Sequence, residues 1–172
     1  MQPPPELVAF CRAEHPRLVG ILGLYCGSAD VAHELAQEAL LRVCKEWGRV
    51  RKMDSPQAWT YRVGTNLAHS YFRRRAVERR ALRRLATRGD AEPTAPPPVD
   101  PDDELARAIE RLPHRQRTAV LLRYYLDLSV RDAAEVMDCP ESTVKTLTRR
   151  ALRDLGSVAG VATQEGAVAD VR

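Results

Sequence analysis

Polar side chains near the end of the chain are spaced so that they would share one face of a helix. Ser142, Lys145, Thr146, Arg149 and Arg153 recur at steps of three or four residues, and residues at such steps stack on a helix. Hydroxyl and cationic groups in one strip can donate hydrogen bonds to base edges in a DNA groove and can neutralise phosphates. The strip indicates a DNA-recognition helix, while a solvated basic face on an ordinary helical hairpin remains the alternative.

The residues around this strip predict a helix-turn-helix. Ser129 can cap a first helix, and residues 138–140, Asp-Cys-Pro, would break it before Ser142 or Thr143 starts the second. Asp138 stands where the chain needs a left-handed residue, which Asp tolerates less well than Gly. Two short helices joined by such a turn form a helix-turn-helix. The residues expected to face inward are Ala133, Ala134, Met137, Val144, Leu147, Ala151 and Leu155.

Composition predicts an all-α protein with an uneven charge distribution. The 172 residues include few aromatic ones and carry a net charge of +4, whereas the segment from Arg73 to Arg88 holds eight arginines and one acid, Glu78. Cations suit a helix C-terminus. Eight arginines over about four helical turns are, however, more than a helix C-terminus requires, which favours a surface that binds nucleic acid.

The first half of the chain predicts three helices. Residues 6–25 carry an apolar stripe that Pro16 is expected to interrupt or kink, and Ser28 should cap a helix over residues 29–47. The predicted buried positions of that second helix are Val31, Leu35, Ala39, Val43 and Trp47, and its polar face holds Glu34, Gln37, Glu38, Leu41 and Lys45. Such a face is typical of solvated surface, but one exposed leucine among polar groups would also suit a partner's docking strip.

A short basic loop and a third helix follow. Residues 48–54, GRVRKMD, are predicted as the loop, and Ser55 with Pro56 resembles a cap followed by proline at the first helical position. The helix is expected over residues 56–75, with Trp59, Val63, Leu67 and Tyr71 along one side.

The rest of the chain predicts a linker, a second domain and a tail. Residues 89–103 contain five prolines and five acids without a basic residue, which is typical of an extended tether. Such a segment reaches up to ~50 Å, more than the ~34 Å of one DNA turn. We therefore expect two small helical domains, at residues 5–78 and 104–155, joined by a Pro-rich acidic linker over 79–103 and followed by a disordered tail over 156–172.

Several classes of function have little support. Cys11, Cys26, Cys44 and Cys139 lack CxxC spacing, so buried free thiols are favoured over a metal site that would add His15 and His33. Phosphate loops, HExxH motifs and nucleophile motifs are missing, which argues against an enzyme and against a cofactor. The N-terminus shows neither a signal peptide nor a membrane span, so a cytoplasmic protein is expected.

Taken together, three segments resemble a bacterial RNA polymerase sigma factor of the extracytoplasmic-function (ECF) group. They are DVAHELAQEALLRVCKEW at residues 30–47, SPQAWTYRVGTNLAHSYFRRR at residues 55–75, and the stretch over 109–152. The sequences LPHRQR and LRYYLDLS in the last stretch are similar to those of actinobacterial members. The resemblance covers most of residues 5–155 and implies a region 2 helical bundle and a region 4 helix-turn-helix.

The resemblance also implies partners and site residues. A docking strip of Glu34, Leu35, Gln37, Glu38 and Leu41 would bind the clamp helices of the largest subunit of core RNA polymerase, and the second domain would contact the flap. Promoter DNA is the other implied partner, and an anti-sigma factor often regulates the group. The minus-ten element would be held by Arg49, Arg51, Lys52, Met53, Arg62, Asn66, Tyr71, Arg73, Arg74 and Arg75. The minus-thirty-five element would be bound by Ser142, Thr143, Lys145, Thr146, Arg149, Arg150 and Arg153.

The main competing hypothesis is a free-standing regulator. It would bind duplex DNA through the helix-turn-helix and use the first domain for dimerisation or ligand sensing. That hypothesis leaves the docking strip and the arginine-rich helix without a role. Substitution of Gln37 and Glu38 separates the two, because only a sigma factor should lose polymerase binding while it keeps duplex binding.

Overall fold

The computed structural model describes residues 3–86 and 101–159, and this part of the chain is all-α, as predicted. The first domain contains α1 (Pro5–Cys26), α2 (Ala29–Val50) and α3 (Pro56–Ala86). The second contains α4 (Pro101–Arg111), α5 (His114–Val120), a π-helical turn (Leu121–Tyr125), α6 (Val130–Met137) and α7 (Glu141–Ala159).

A tight turn reverses the chain between α1 and α2. Gly27 has φ 65°, and its N–H donates to the carbonyl of Gly23 at 2.8 Å. Glycine adopts this left-handed conformation without the steric penalty that a Cβ would bring. Ser28 then caps α2, because its hydroxyl accepts a hydrogen bond from the Val31 N–H at 3.5 Å. The predicted cap is thereby confirmed.

One predicted helix limit was wrong, and the interruption expected at Pro16 as one of two effects is absent. Pro16 lies inside α1 and does not interrupt it, because the missing N–H removes one helical bond while Leu18, Ile21 and Leu22 still bury the same face. The third helix does not end near residue 75 but continues to Ala86. Residues 76–86 are rich in Ala, Arg and Leu and contain neither Gly nor Pro, so they favour a continuing helix.

These limits also move the ends of the predicted linker. Residues 79–86 belong to α3 and residues 101–103 belong to α4, so both ends of the segment predicted over 79–103 are helical. Residues 87–100 lie outside the described part. In the predicted tail, α7 continues to Ala159, while residues 160–172 also lie outside it.

The core of the first domain lies where α2 packs against both α1 and α3. On α2, Ala39 and Val43 are buried as predicted, but Val31, Leu35 and Trp47 are only half-buried. The prediction assumed one narrow stripe, whereas contact with two helices requires a wider face, and small alanines allow the close approach. The buried residues of α2 are Ala32, Ala36, Ala39, Leu40, Val43 and Val50.

The second domain has the predicted helix-turn-helix in α6 and α7. The Ser129 hydroxyl accepts a hydrogen bond from the Asp132 N–H at 3.0 Å, which caps α6. Asp138 ends the helix with φ 51° and ψ 56°, which is the predicted left-handed position. Ala133, Ala134, Val144 and Ala151 are buried between these helices and α5, whereas Met137 is half-buried.

The two domains pack against each other. Helix α3 lies against α6, and α1 lies against α4 and the π-helical turn. The His69 and His114 rings stack across this contact with their centroids 3.8 Å apart. The Arg117 guanidinium donates to the Tyr25 carbonyl at 2.8 Å. Residue spacing did not predict this interface.

Candidate nucleic-acid and polymerase interfaces

Helix α7 presents the basic strip to solvent. Ser142, Lys145, Arg149 and Arg153 are exposed, while Val144 and Ala151 on the other side are fully buried. Because 3.6 residues make one helical turn, this burial places the exposed set around the outward direction of the helix. Thr146 is half-buried, and its hydroxyl donates to the Ser142 carbonyl at 2.9 Å. The strip therefore lies on the side of α7 that faces away from the core of its own domain.

Thr143 and Arg150 occupy one edge of this strip. Helical geometry places both about a quarter turn from its centre; Arg150 is exposed and Thr143 is half-buried. Leu147 is half-buried rather than outward. Lys145, Arg149 and Arg153 can thus reach deepest into a groove that the helix enters, and Arg150 would face its wall.

The minus-ten candidates on α3 fall on two different faces. Ideal helical geometry places Arg62, Asn66 and Arg73 on one side of α3 and Tyr71 about half a turn away. Tyr71 contacts Arg75, whose guanidinium donates to the phenol oxygen at 2.9 Å and lies 5.6 Å from the ring centroid. The structure thus does not bring all of the predicted residues together. Arg73, Arg74 and Arg75 are exposed, and the side chains of Arg79, Arg80, Arg83, Arg84 and Arg88 lie outside the described part.

Arg62 does not point to open solvent but reaches the second domain. Its guanidinium donates to the carbonyls of Val136, at 3.2 Å, and Glu135, and it lies 3.8 Å from the Asp138 carboxylate. Asn66 is exposed and lines the same cleft of about 410 Å³ between the domains. In this arrangement Arg62, a predicted DNA contact, is hydrogen-bonded to the second domain instead.

The basic loop is shorter than predicted. Residues 48–50 belong to α2, so the connection covers residues 51–55, where the N–H groups of Lys52 and Met53 bond to the last carbonyls of that helix. Arg49 forms an ion pair with Glu46 at 3.2 Å. Lys52 and Arg51 are exposed, and Arg51 lies 3.9 Å from the Glu6 carboxylate. Exposed pairs of this kind are weak, so these cations remain available to phosphates.

Four of the five docking-strip candidates share one exposed face of α2. Glu34, Gln37, Glu38 and Leu41 lie on it, and Leu41 leaves 53% of its surface exposed. Glu38 pairs with Arg42 at 3.1 Å. Leu35 departs from the set, because it is half-buried and packs against the core. An exposed leucine surrounded by polar groups is suited to contact with another protein.

The LPHRQR stretch contributes interface residues that the sequence argument did not assign. The Arg117 guanidinium lies 4.8 Å from the Tyr25 ring and 5.1 Å from the Phe72 ring, and burial lowers its pKa. The Tyr25 hydroxyl bonds to Nδ1 of His114. Burial raises the pKa of Tyr25 to about 12, so the phenol keeps its proton near pH 7.

Burial also lowers the pKa of His114 from 6.5 to about 4. His69, Arg117 and Arg115 add to the effect, because neighbouring cationic groups disfavour a charged imidazolium. His114 is therefore neutral near pH 7. The stretch LPHRQR places one histidine and two arginines within six residues. The neighbouring residues in the sequence do not indicate which helices these side chains contact.

The cysteines are free, and three of them are half-buried. Cys44 is exposed, which contradicts the prediction for that residue, because its position on α2 is turned by about 100° from that of the buried Val43. Burial raises the pKa of Cys11 to about 11, with a contribution from the neighbouring Cys44.

Within residues 3–86 and 101–159, no group of three or more His, Cys, Asp or Glu residues could hold a metal ion. Among the same residues, the helices are too short or too polar to span a membrane.

Comparison with known families and proteins agrees with this architecture. The family described as sigma-70 region 2 matches residues 10–78, and sigma-70 region 4 matches residues 102–155. The RNA polymerase sigma-H factor of Pseudomonas aeruginosa is 30% identical over 149 residues, covering 78% of this chain and 76% of that protein. The sigma factor SigV of Bacillus subtilis is 25% identical over 152 residues, covering 86% and 87%.

Among solved structures, the sigma factor RpoE of Bartonella quintana, crystallised with the anti-sigma factor NepR, is similar with a TM-score of 0.73. It is 21% identical, and the match covers 91% of this chain and 98% of that one. At this identity the likeness concerns the fold alone. The ECF RNA polymerase sigma-E factor of Haemophilus influenzae is 27% identical over 147 residues, covering 78% of this chain and 77% of that protein. Both domain families in order and these sequence relatives establish that the chain belongs to the extracytoplasmic-function group of bacterial RNA polymerase sigma factors.

Proposed function

We propose that the chain binds core RNA polymerase and directs initiation at promoters with a minus-ten and a minus-thirty-five element. The observation that carries the proposal is the exposed strip of α7, with Lys145, Arg149 and Arg153 on a helix-turn-helix. Its side chains would bind base edges and phosphates of the minus-thirty-five element. Arg150 and Thr143, at the edge of the strip, would contact the DNA backbone.

The first domain would bind the minus-ten strand after the duplex opens. Separate parts of this strand would contact opposite sides of α3, one with Asn66 and Arg62 and the other with Tyr71. Its phosphates would be neutralised by Arg49, Arg51, Lys52 and residues 73–75. Stacking on an aromatic ring contributes ~1–3 kcal/mol per base. No covalent step is required, because tighter binding to the open strand than to the duplex shifts the equilibrium towards melting.

The exposed face of α2 would dock on the polymerase. Glu34, Gln37, Glu38 and Leu41 supply hydrogen-bonding groups around one apolar side chain, which suits the clamp helices of the largest subunit. The second domain would rest on the flap. We further propose that the protein acts in the cytoplasm, where polymerase and promoter are found.

An anti-sigma factor is a further proposed partner. The Bartonella quintana relative in fold was crystallised with one, and such a partner would act by covering the docking strip or by holding the domains. The stretches LPHRQR and LRYYLDLS support placement among the actinobacterial members of the group.

Paired substitutions test the two surfaces separately. The Gln37→Ala/Glu38→Ala variant should lose co-purification with core polymerase and keep binding to duplex DNA, and Glu104→Ala, an exposed glutamate outside the strip, is the matched control. If the double variant binds polymerase as well as the wild type, the docking assignment is wrong.

The α7 strip has its own variant pair. Lys145→Ala/Arg149→Ala should weaken minus-thirty-five binding by at least about tenfold, because each lost contact is worth ~1–3 kcal/mol. Arg111→Ala removes an exposed charge from α4 and should leave binding unchanged. Equal losses in both variants would show a general charge effect rather than recognition by α7.

A further inference from the structure

Two cysteines of the first domain lie at the same distance from the turn that joins their helices. Helices α1 and α2 pack against each other and meet at the tight turn of Gly27 and Ser28. Cys11 precedes Gly27 by 16 residues, and Cys44 follows Ser28 by 16 residues. At about 1.5 Å per residue, each cysteine lies about 24 Å from the turn. The helical hairpin thus places two thiols side by side that are far apart in the sequence.

The contacts around these cysteines agree with this register. Phe10 of α1 and Trp47 of α2, each near one of the cysteines in the sequence, have ring centroids 5.3 Å apart. Cys11 and Cys44 both line one groove of about 500 Å³ with mainly apolar walls. The Cys44 thiol also lies within hydrogen-bonding distance of the Cys11 thiol. The two sulfur atoms are therefore direct neighbours.

The separation of packed helices suits a disulfide. Such a bond usually joins Cα atoms about 4.4–6.8 Å apart. Helices with axes ~8–10 Å apart and Cα atoms ~2.3 Å from each axis bring residues at the contact to roughly this separation. The alanines that α2 buries, Ala32, Ala36 and Ala39, favour a close approach of the helices. Cys11 and Cys44 can therefore be bridged while α1 and α2 keep their packing.

The two thiols differ in their access to solvent. Cys44 is exposed, whereas Cys11 is half-buried. Burial, with smaller contributions from Cys44, raises the pKa of Cys11 to about 11, so Cys11 keeps its proton near pH 7. An oxidant from solution therefore meets Cys44 first, and Cys11 is placed to react with the product.

From this geometry we propose that Cys11 and Cys44 form an oxidation site, at which hydrogen peroxide converts the two thiols into a disulfide between α1 and α2. The Cys44 sulfur attacks one peroxide oxygen, the O–O bond breaks, and a sulfenic acid forms with release of one water. The Cys11 sulfur then attacks the Cys44 sulfur, the S–O bond breaks, and a second water leaves as the S–S bond forms. The two thiols lose two electrons and two protons, and the peroxide is reduced to two waters.

The disulfide should stabilise the first domain and leave its docking strip uncovered. Helical spacing places Cys44 between the exposed Leu41 and the buried Leu40 around α2, and the bond would draw the Cys44 sulfur towards α1. A disulfide stabilises a fold mainly because it restricts the unfolded chain. The oxidised protein should therefore unfold at a higher temperature and still bind polymerase; only the second expectation rests on the proposed function.

Peptide mapping of the full-length protein tests the bond itself. After treatment with hydrogen peroxide and proteolysis without reduction, mass spectrometry should find Cys11 and Cys44 in one linked pair of peptides from the monomer. Dithiothreitol should separate the pair. Cys26→Ala/Cys139→Ala, the matched control, should form the same bond. Thiols that stay free, or a bond that includes Cys26 or Cys139, would overturn the proposal.

Single variants test the order of the two steps. Cys11→Ala should retain a sulfenic acid at Cys44, which dimedone traps. Cys44→Ala should give about tenfold or more less trapped sulfenic acid at Cys11, because a protonated and half-buried thiol reacts slowly. Equal or stronger labelling of Cys11 would contradict the assigned order.

Thermal unfolding tests the effect of the bond. In the Cys26→Ala/Cys139→Ala protein, oxidation should raise the unfolding midpoint by about 5–15 °C, as followed by circular dichroism. The same oxidant should leave the midpoint of Cys11→Ala/Cys44→Ala unchanged. An equal or lower midpoint for the disulfide-linked protein would refute stabilisation.

Co-purification with core polymerase separates this proposal from the proposed function. Oxidised and reduced proteins should co-purify equally well. If neither does, the proposed function fails and the oxidation site stands on the mapped disulfide. If only the oxidised protein fails, the disulfide obstructs the docking strip and the expected geometry of the oxidised form is wrong.

Discussion

Acidification should weaken the contact between the domains through His114. In the arrangement described above, called the closed form, the two domains pack together around His114. Burial lowers the pKa of this histidine from 6.5 to about 4, and His69, Arg117 and Arg115 add to the effect. The closed form therefore binds the proton less readily than an open form with an ordinary histidine. Closure is unaffected above about pH 6.5 and loses stability as the pH falls from there towards 4.

The size of this effect follows from the two pKa values. At pH 5 the difference corresponds to about 2 kcal/mol against closure, and because the ring is only half-buried, solvent screening should reduce it to about 1 kcal/mol. The ratio of closed to open molecules should then fall about fivefold between pH 7 and pH 5.

Two measurements check this prediction. NMR titration of the His114 ring should give a pKa well below 6.5, and small-angle scattering should show expansion between pH 7 and pH 5. The His114→Gln variant keeps a polar side chain that cannot titrate, so its expansion over this range should be smaller. A ring that titrates near 6.5, or equal expansion in both proteins, would refute the reasoning.

Three further predictions concern stability, each measured by urea denaturation against the wild type. Tyr61→Phe should cost ~1.5–3 kcal/mol, because the Tyr61 hydroxyl donates at 2.6 Å to the buried Glu14 carboxylate; an unchanged midpoint would show that Glu14 has another adequate donor. Ser129→Ala should cost ~1 kcal/mol, since it removes the acceptor for the Asp132 N–H, and a loss below a few tenths would contradict the cap. Asp138→Gly should stabilise the protein by ~0.5–1 kcal/mol at φ 51°; destabilisation would mean that the Asp138 side chain matters more than its backbone.

Much of the local structure could be predicted because its causes are local. Helix caps were predicted at Ser28, Ser55 and Ser129, and the structure confirms all three. At Ser55, the hydroxyl accepts a hydrogen bond from the Ala58 N–H at 3.1 Å. The left-handed Asp138 and the exposed strip of α7 also follow from residue type and helical spacing. These features depend on neighbours within about four residues.

The features that the sequence did not predict depend on distant partners. Helical spacing predicted that Leu35 is buried, whereas the resemblance placed it in the docking strip; the structure leaves it half-buried, because packing against other helices sets how much of it is covered. Arg62 was assigned to DNA alone, although its hydrogen-bond acceptors belong to a helix more than seventy residues further along the chain. Hydrophobic periodicity cannot identify such contacts, because it reports which face of a helix is buried and not what covers it.

The central claim is tested most directly by run-off transcription from a promoter library with purified core RNA polymerase, with and without this protein. The sigma-factor account predicts new transcripts that start at a fixed distance from a shared two-part motif, and these should disappear with the Gln37→Ala/Glu38→Ala variant. Absence of initiation, while the protein alone still shifts duplex DNA, would contradict the account and favour a free-standing regulator.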